Sequence, residues 1–401
     1  MTSTRPKSVE IGERHTVLIE KVAHGGHFIA RHEGQVFFVR HAIPGETVEV
    51  EITSSGSSFL RADVVSVIDA SMDRVTPPCQ YAHPGGCGGC DFQHISLARQ
   101  RNLKAEVIKE QFRRLAKMEI DVTVEEVSGP FHWRTRMTGA TDESGKIGFY
   151  ATRSHKVIPV AECLIAADAV KFPELAQRIW PAQSRVEISV SSEGVRSIAL
   201  AAAIRGSKAR LTQGPQILKE SVYGHELEVS QASFWQGHEL APETLTGAIQ
   251  DYVHAGEHLL DLYGGVGLFT AALIDQIGET GRIDLIESSR SATADAARNF
   301  AQVPQVRVLT GDVLAELSKI DRADVVLLDP PREGAGRAVL GKIAAFGPRS
   351  IIYVACDPAA LARDTAYLAD LGFRLVALRA FDLFPMTHHV ECVARFEPSQ
   401  S

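Results

Sequence analysis

The sequence predicts a multidomain protein in which a small β-barrel is followed by an α+β region and then by a parallel-sheet α/β domain. Residues 8–70 form short runs of alternating apolar and polar residues separated by glycine turns, which is typical of small barrels of the OB type. Cysteines, a basic helix and short strands follow in residues 71–235. Beyond that point, strands and helices alternate regularly, as in a parallel sheet with helices on both faces. The predicted domains are therefore 1–70, 71–235 and 236–401.

The composition of the 401-residue chain is that of an ordinary globular protein, with 45% hydrophobic and 23% charged residues. The first residues, MTSTRPKSVEIGERH, contain no apolar targeting segment, and no apolar run approaches the roughly 18 residues that a membrane span needs. We therefore expect a cytoplasmic protein without a membrane segment. Its six cysteines should then stay reduced, which favours metal binding or catalysis over disulfides.

Positive charge is clustered in two segments although the net charge is −7. The predicted helix 97–117 carries seven Lys and Arg residues against two Glu, and residues 131–156 carry five basic residues against two acidic ones. Such clusters attract phosphates. A basic run is also often no more than a solvated helix face. Both interpretations stay open, and the helix could also pack on the C-terminal domain.

A cofactor site is predicted at the start of the C-terminal domain. HLLDLYGGVGLFTAALI at 258–274 predicts a buried strand, a glycine-rich turn and a helix start, and Gly265 lets the backbone of the turn approach a ligand closely. Glu287 ends the next strand and could hydrogen-bond ribose hydroxyls. The turn has a Gly-Gly pair and no G-x-G-x-x-G sequence, so S-adenosylmethionine is favoured over a dinucleotide. The following strands end at Asp312, Asp329 and Cys356.

The last two predicted strands suggest a reactive centre. FRLVALRAFDLF and HHVECVARF are separated by PMT alone, which is too short for a crossover between parallel strands. The last strand should therefore run antiparallel, so that Glu391 near its beginning shares one rim with Cys356 and Asp329. Methylation of a pyrimidine at C5 needs a thiolate that adds at C6 and a separate base that removes the C5 proton. Cys356 and Glu391 match this requirement.

Four motifs, DLYGGVG, LLDPPREG, YVACDPAALARD and FPMTHHVE, identify a wider resemblance. With them the chain resembles the RNA uracil-5-methyltransferase family, whose members modify uridines in tRNA or 23S ribosomal RNA. The resemblance covers almost the whole chain. It implies an N-terminal OB-like TRAM barrel, a central cysteine-bearing domain and a Rossmann-like class I methyltransferase domain. It also implies C5 methylation of a uridine in structured RNA, with no obligate protein partner inferred.

The resemblance further implies roles for individual residues. Cys356 would be the nucleophile that forms a covalent adduct with C6, and Glu391 the base that takes the C5 proton. The positions that match cofactor contacts of the family, or lie in its D-P-P-R-like motif, are Gln236, Tyr263, Glu287, Asp312 and Asp329. Two positions depart from the family pattern, which usually has cysteine at Gly264 and often a polar residue at Leu268. These departures bear on cofactor affinity rather than on the type of reaction.

Four further cysteines predict a metal site. Cys79, Cys87 and Cys90 are spaced C-x7-C-x2-C, and Cys163 follows later in the chain. Four thiolates can hold either a tetrahedral zinc ion or a [4Fe-4S] cluster, and the spacing leaves both open. The resemblance favours a [4Fe-4S] cluster with a structural role, with zinc as the alternative.

Methylation of a different base and RNA binding without activity are alternatives to uridine methylation. RNA cytosine-5-methyltransferases usually carry a second cysteine beside a proline in the fourth-strand motif, and here that motif begins Asp329-Pro330-Pro331. A different base nevertheless stays an alternative. Another is an RNA-binding protein of the same fold with weak or no activity, which would be expected to have lost Cys356 or Glu391. The sequence does not distinguish 23S rRNA from tRNA as the substrate.

Overall fold

The computed structural model describes residues 10–204 and 206–399. Residues 1–9 lie outside this range. They belong to the predicted barrel domain and to the N-terminal segment in which the sequence predicts no targeting signal. Within the described residues, unit 1 comprises the chain up to Val107, Tyr150–Lys156 and Pro385–His388. Unit 2 comprises Ile108–Phe149, Val157–Phe384 and the chain from His389 onward. The three-domain boundaries stay a prediction, and the two units are described separately.

Unit 1 contains a closed five-stranded barrel. Its strand order is β1-β2-β3-β5-β4, with β3 and β5 parallel and the other pairs antiparallel. Alternate residues point inward, so that Phe28, Phe37 and Val48 fill the interior. The barrel predicted from the alternating pattern is confirmed. The strands are β1 (Arg14–Ala23), β2 (His27–His32), β3 (Gln35–Arg40), β4 (Thr47–Ser55) and β5 (Leu60–Asp69).

The predicted basic helix is present as α1 (Leu97–Gln111), which continues into a π-helical turn at Phe112–Ala116. Much of its positive charge is neutralised locally. Arg99 pairs with Glu106 at 2.6 Å, and beyond the middle of the helix Lys109 pairs with Asp121 at 2.9 Å. This pairing favours the interpretation of α1 as a solvated, ion-paired helix face over that of a phosphate-binding surface.

After the end of α1 and the π-helical turn, unit 2 continues with β6 (Val124–Glu126) and a six-stranded sheet of order β12-β11-β10-β7-β8-β9, followed by a hairpin of β13 and β14. Short helices α2 (Phe172–Ala176) and α3 (Ala241–Gly247) lie in the same part of the chain. The strands are β7 (Arg136–Thr141), β8 (Ile147–Tyr150), β9 (Val157–Pro159), β10 (Ser184–Val190), β11 (Arg196–Ala202), β12 (Arg210–Gln213), β13 (Ile217–Val222) and β14 (His225–Ser230).

The rest of unit 2 is an α/β domain around one eight-stranded sheet of order β17-β16-β15-β18-β19-β21-β20-β6. Neighbours from β17 to β19 are parallel, as the regular alternation of strands and helices predicts. The strands are β15 (His258–Leu262), β16 (Arg282–Glu287), β17 (Val306–Thr310), β18 (Val325–Leu328), β19 (Ser350–Ala355), β20 (Phe373–Asp382) and β21 (Glu391–Pro398). The helices are α4 (Leu268–Ile277), α5 (Arg290–Asn299), α6 (Val313–Leu317), α7 (Gly336–Ala345) and α8 (Pro358–Asp370).

Strand β21 runs antiparallel to both of its neighbours, β19 and β20. The connection from Asp382 to Glu391 is too short for the crossover that a parallel pair needs, so the chain has to reverse direction. β21 therefore begins at the edge of the sheet where the parallel strands end. In the described part of the chain, no helix combines the length and the apolar character needed to cross a bilayer.

Candidate active site

The glycine-rich turn between β15 and α4 is held by backbone geometry. Tyr263, Gly265 and Gly267 have φ values of 60°, 57° and 98°, in the left-handed region. A Cβ atom at Gly267 would lie 2.2 Å from Cε2 of Phe300, so only glycine fits there. Above Gly265 there is open space, because an added Cβ atom would meet no heavy atom within 4 Å. The turn thus exposes its backbone at Gly265 and packs tightly at Gly267.

Three acidic side chains follow the ends of neighbouring parallel strands. Leu262 is in register with Ile286 and Leu328, which places Glu287 and Asp329 beside the turn. Glu287 accepts a hydrogen bond from the amide of Gly265 at 3.2 Å. Asp312 lies beyond the end of β17 and caps α6 by accepting from the amide of Ala315 at 3.1 Å. The predicted residues on these strands therefore share one edge of the sheet.

Tyr263 lies among these acids. Burial raises the pKa of its hydroxyl to about 12, and the charge of Asp312 adds to the effect. The phenol is consequently neutral and able to donate a hydrogen bond at physiological pH. Its left-handed backbone conformation, which is uncommon for a residue other than glycine, is consistent with a constrained functional turn.

A further acid, Asp261, was not singled out from the sequence. It is fully buried on β15, and its Oδ2 accepts from the Thr270 hydroxyl at 2.7 Å. Its Oδ1 has no hydrogen-bond partner within residues 10–204 and 206–399. Burial raises the pKa of this carboxyl to about 7, with a smaller contribution from Glu287. The aspartate at the start of DLYGGVG is the sequence feature that could have identified this residue. Its buried oxygen without a partner, beside the turn, could accept a hydrogen bond from a ligand.

Cys356 and Glu391 are brought face to face by strand register. Ala355 pairs with Cys392 at the end of the β19–β21 ladder, and Cys356 and Glu391 are the residues immediately beyond this pair. Side chains directly opposite each other in an antiparallel pair have Cβ atoms about 5 Å apart.

The helix that follows Cys356 is capped by the next residue. Pro358 begins α8, and the Asp357 carboxylate caps it by accepting from two backbone amides at 2.9 Å. The thiol is thus fixed between the end of a strand and a capped helix.

The surroundings of this pair raise the pKa values of both groups. Burial raises the pKa of the Cys356 thiol to about 12, with Glu391 and then Asp329 as further causes. Burial and Asp329 also raise the pKa of Glu391 well above its ordinary value, and only 6% of its surface is exposed. The pKa of Asp329 is itself raised to about 7, by burial and by Asp261. A thiol here needs a base, or a change in these charges, before it can act as a nucleophile.

Gln236 lies outside this strand alignment, in the connection between β14 and α3. Its side chain is largely buried, at 8% exposure. The connection is anchored nearby, since the Ser233 hydroxyl donates to Asp295 on α5 at 2.6 Å. The position of Gln236 is therefore fixed by loop contacts rather than by sheet register.

Comparisons with known proteins agree with this geometry. Residues 8–65 match the TRAM domain, and residues 198–397 match the family described as tRNA (uracil-5-)-methyltransferase. An RNA methyltransferase of Streptomyces avermitilis is 42% identical over 97% of this chain and 99% of its own. The 23S rRNA (uracil(1939)-C(5))-methyltransferase RlmD of Shewanella piezotolerans is 30% identical over 98% of this chain and 97% of its own.

The chain belongs to the tRNA (uracil-5-)-methyltransferase family. Its fold is that of the Pyrococcus abyssi tRNA (uracil-54, C5)-methyltransferase, whose structure was solved in complex with S-adenosyl-L-homocysteine. The two share 20% sequence identity and a TM-score of 0.71, over 95% of this chain and 99% of the other. The resemblance inferred from the four motifs is thereby confirmed.

The two departures from the family pattern have local explanations. A Cβ atom at Gly264 would lie 2.7 Å from Cγ of Leu285, so a cysteine could not be placed there without moving Leu285. Leu268 is 7% exposed and packs in the hydrophobic core of unit 2. Its side chain therefore serves the packing of α4, in agreement with its omission from the predicted site.

The predicted four-cysteine site is not supported by the arrangement of its residues. Cys79, Cys87 and Cys90 belong to unit 1 and Cys163 to unit 2. Across the described residues, no three or more His, Cys, Asp or Glu side chains come together in a way that could hold a metal ion. The glycine just before Cys87 is required by local packing, because a Cβ atom at Gly86 would lie 2.3 Å from the carbonyl oxygen of Tyr81. The four-cysteine site therefore stays a prediction.

A first prediction concerns the opposed thiol and carboxyl. Burial raises the pKa of Cys356, and in alkaline solution the Glu391 carboxylate raises it further, so Glu391→Gln should lower that pKa. Alkylation of Cys356 by iodoacetamide should then be about 10-fold faster at a fixed alkaline pH below the thiol pKa. Peptide mass spectrometry over a pH series measures this rate. Glu397→Gln, at the far end of the same strand, should leave it unchanged, and an unchanged rate in Glu391→Gln would contradict the geometry.

Proposed function

We propose that this member of the family methylates C5 of a uridine in structured RNA, either 23S rRNA or tRNA, with S-adenosylmethionine as methyl donor. The observation that carries the proposal is the β19–β21 ladder, whose last pair is Ala355 and Cys392, so that Cys356 and Glu391 follow it at the same edge as Asp329. A nucleophile and a separate base are the two protein groups that this reaction needs. Amino-group methylation needs neither of them.

Cys356 and Glu391 would act in sequence. The Cys356 thiolate adds to C6 of the uracil, and the negative charge that develops makes C5 nucleophilic. When bound, the cofactor supplies the electrophilic methyl group that C5 attacks. Glu391 then takes the proton from C5, the C5–C6 double bond forms again, and the Cys356 sulfur leaves C6. Uracil inside a helix is inaccessible to this attack, so the base must be flipped out of its stack.

The residues around the glycine turn fit the proposed cofactor. Glu287 could accept hydrogen bonds from ribose hydroxyls while it also holds the Gly265 amide. The unsatisfied Oδ1 of Asp261 could accept from the ammonium group of the amino-acid part. Open space above Gly265 would let the ligand approach the backbone. Further contacts are assigned to Gln236, Tyr263, Asp312 and Asp329.

Support for RNA as the partner comes from an arginine cluster on the barrel, formed by Arg40, Arg61 and Arg153. Burial lowers the pKa of Arg153, the charges of Arg61 and Arg40 add to this effect, and the charge of Asp63 opposes it. Among the described residues none of the three forms an ion pair with an acid, and the buried Nε atoms of Arg40 and Arg61 lack hydrogen-bond partners. Arg61 also lies 4.8 Å from the ring centroid of Phe59. Convergent guanidinium groups beside an aromatic ring suit an RNA backbone and an unstacked base.

The central prediction is covalent trapping. Fluorine at C5 cannot be removed as a proton, so RNA containing 5-fluorouridine should form a stable methylated adduct with the protein. Denaturing gels of tRNA and 23S rRNA transcripts incubated with protein and S-adenosylmethionine detect the adduct, and peptide mapping should place it on Cys356. Cys356→Ala should abolish it, whereas Cys392→Ala, a buried cysteine one position from the base, should retain it. No adduct with any transcript would favour an RNA-binding protein without activity.

The arginine cluster predicts a change in salt dependence. Replacing Arg40, Arg61 and Arg153 together by Gln should reduce the slope of log affinity against log salt by about 2 for single-stranded RNA. Fluorescence anisotropy with a labelled RNA over a salt series measures the slope. The matched control replaces Arg14, Arg31 and Arg99 by Gln, since each of these is already paired with an acid. Equal slopes for the two triple variants would exclude the cluster as an RNA contact.

We keep the [4Fe-4S] cluster on Cys79, Cys87, Cys90 and Cys163, with zinc as the alternative, as a separate hypothesis that the proposed reaction does not use. It rests on the four-cysteine pattern and the family resemblance. If it holds, protein purified without oxygen should contain about four iron atoms per chain and absorb near 400 nm. One zinc atom per chain would support the alternative. Metal-free protein with full activity would exclude both.

A further inference from the structure

The segment Pro385–His388 belongs by its contacts to unit 1, although it comes directly before Glu391 in the chain. Within it, Met386 has a φ of 69°, a left-handed conformation that residues other than glycine seldom adopt. Such a conformation persists only where surrounding interactions hold it in place. Met386 and Thr387 are both buried, at 6% and 3% exposure. The segment is therefore constrained rather than an ordinary surface loop.

Backbone contacts explain how Met386 is held. Its amide donates to Oε1 of Gln100 at 2.9 Å, and its carbonyl accepts from the amide of Phe92 at 3.0 Å. Gln100 is fully buried and is fixed in turn, because its Nε2 donates to the carbonyl of Phe92 at 3.1 Å and to that of Ile95 at 2.9 Å. The amide and the carbonyl of Met386 are thus both hydrogen-bonded to residues of unit 1 that are themselves held in place.

Asp91 fixes the next part of the segment through one carboxylate. Its Oδ1 accepts from the backbone amide of His388 at 3.0 Å, and its Oδ2 contacts Nδ1 of the same residue at 2.6 Å. The pair is packed against Gly26, where a Cβ atom would lie 2.1 Å from Asp91 Oδ2 and 2.8 Å from His388 Nδ1. Asp91 is only 7% exposed. Bonding both the backbone and the ring of His388 fixes its position and its orientation.

We propose that Asp91, through His388, is a positioning residue for the base Glu391. Only two residues separate His388 from Glu391, the first residue of β21, so the clamp limits how far the start of the strand can shift. A base must lie within hydrogen-bonding reach of the proton that it removes. The proposal rests on the proposed function, because it concerns the step in which Glu391 takes the C5 proton. In that step the C–H electron pair forms the C5–C6 double bond, and the C6–S pair returns to Cys356.

The test uses the order of the two chemical steps. Methyl transfer precedes proton removal, so a displaced Glu391 should leave the methylated RNA bound covalently to Cys356. With RNA that contains ordinary uridine, Asp91→Ala should slow turnover by about 10- to 100-fold and accumulate this adduct on denaturing gels. The single-turnover rate of methyl transfer should stay close to that of the unmodified protein. Asp91→Asn, which keeps an acceptor for the His388 amide, should accumulate less adduct.

The controls separate positioning from folding. The control variant Asp73→Ala removes another aspartate of unit 1. Asp73 accepts a hydrogen bond from Ser96 at 3.0 Å and not from residues 385–388. The Asp73→Ala variant should therefore accumulate no adduct. If Asp91→Ala fails to fold, His388→Ala removes only the ring contact and should accumulate adduct to a smaller extent. Release without adduct, or equal slowing of methyl transfer and release, would overturn the proposal. Failure of the unmodified protein to trap 5-fluorouridine RNA would instead refute the underlying reaction.

Discussion

The candidate site depends on the reversal of a single strand. Parallel strands deliver their side chains to one edge of a sheet only at their carboxyl ends, so a residue that begins a strand would ordinarily lie at the opposite edge. The short connection before β21 forces an antiparallel direction, which places Glu391 across from Cys356. Without that reversal, a thiol and a carboxyl that are 35 positions apart in the sequence would face opposite ends of the domain.

Bringing these groups together has an electrostatic cost. Asp261, Asp329 and Glu391 lie in a buried region where each negative charge disfavours the next, and their pKa values are raised accordingly. A positively charged cofactor entering such a site would relieve the repulsion among the carboxylates, which links cofactor binding to the ionisation of the catalytic groups.

Much of this architecture could be predicted from sequence because it follows from local rules. Alternation identified the barrel, and the glycine turn and strand ends identified the acids from Glu287 to Asp329. Asp261 was missed because its importance lies in one oxygen atom that Thr270 leaves unsatisfied, which is a tertiary property. The six-stranded sheet was equally hidden, since β7 pairs with β10 from a distant part of the chain. The metal site stays a prediction, because cysteine spacing does not specify which side chains converge in space.

The contact between Gly264 and Leu285 has an evolutionary consequence. A Cβ atom at position 264 would meet the branched carbon of Leu285 on β16, so the Leu285 side chain would have to change its conformation to make room. The two positions are therefore coupled, and their substitutions should not have additive effects. A lineage that carries glycine here can acquire the usual cysteine most easily after residue 285 has become smaller. The order of mutations, and not only their identity, is constrained by one packing contact beneath the cofactor turn.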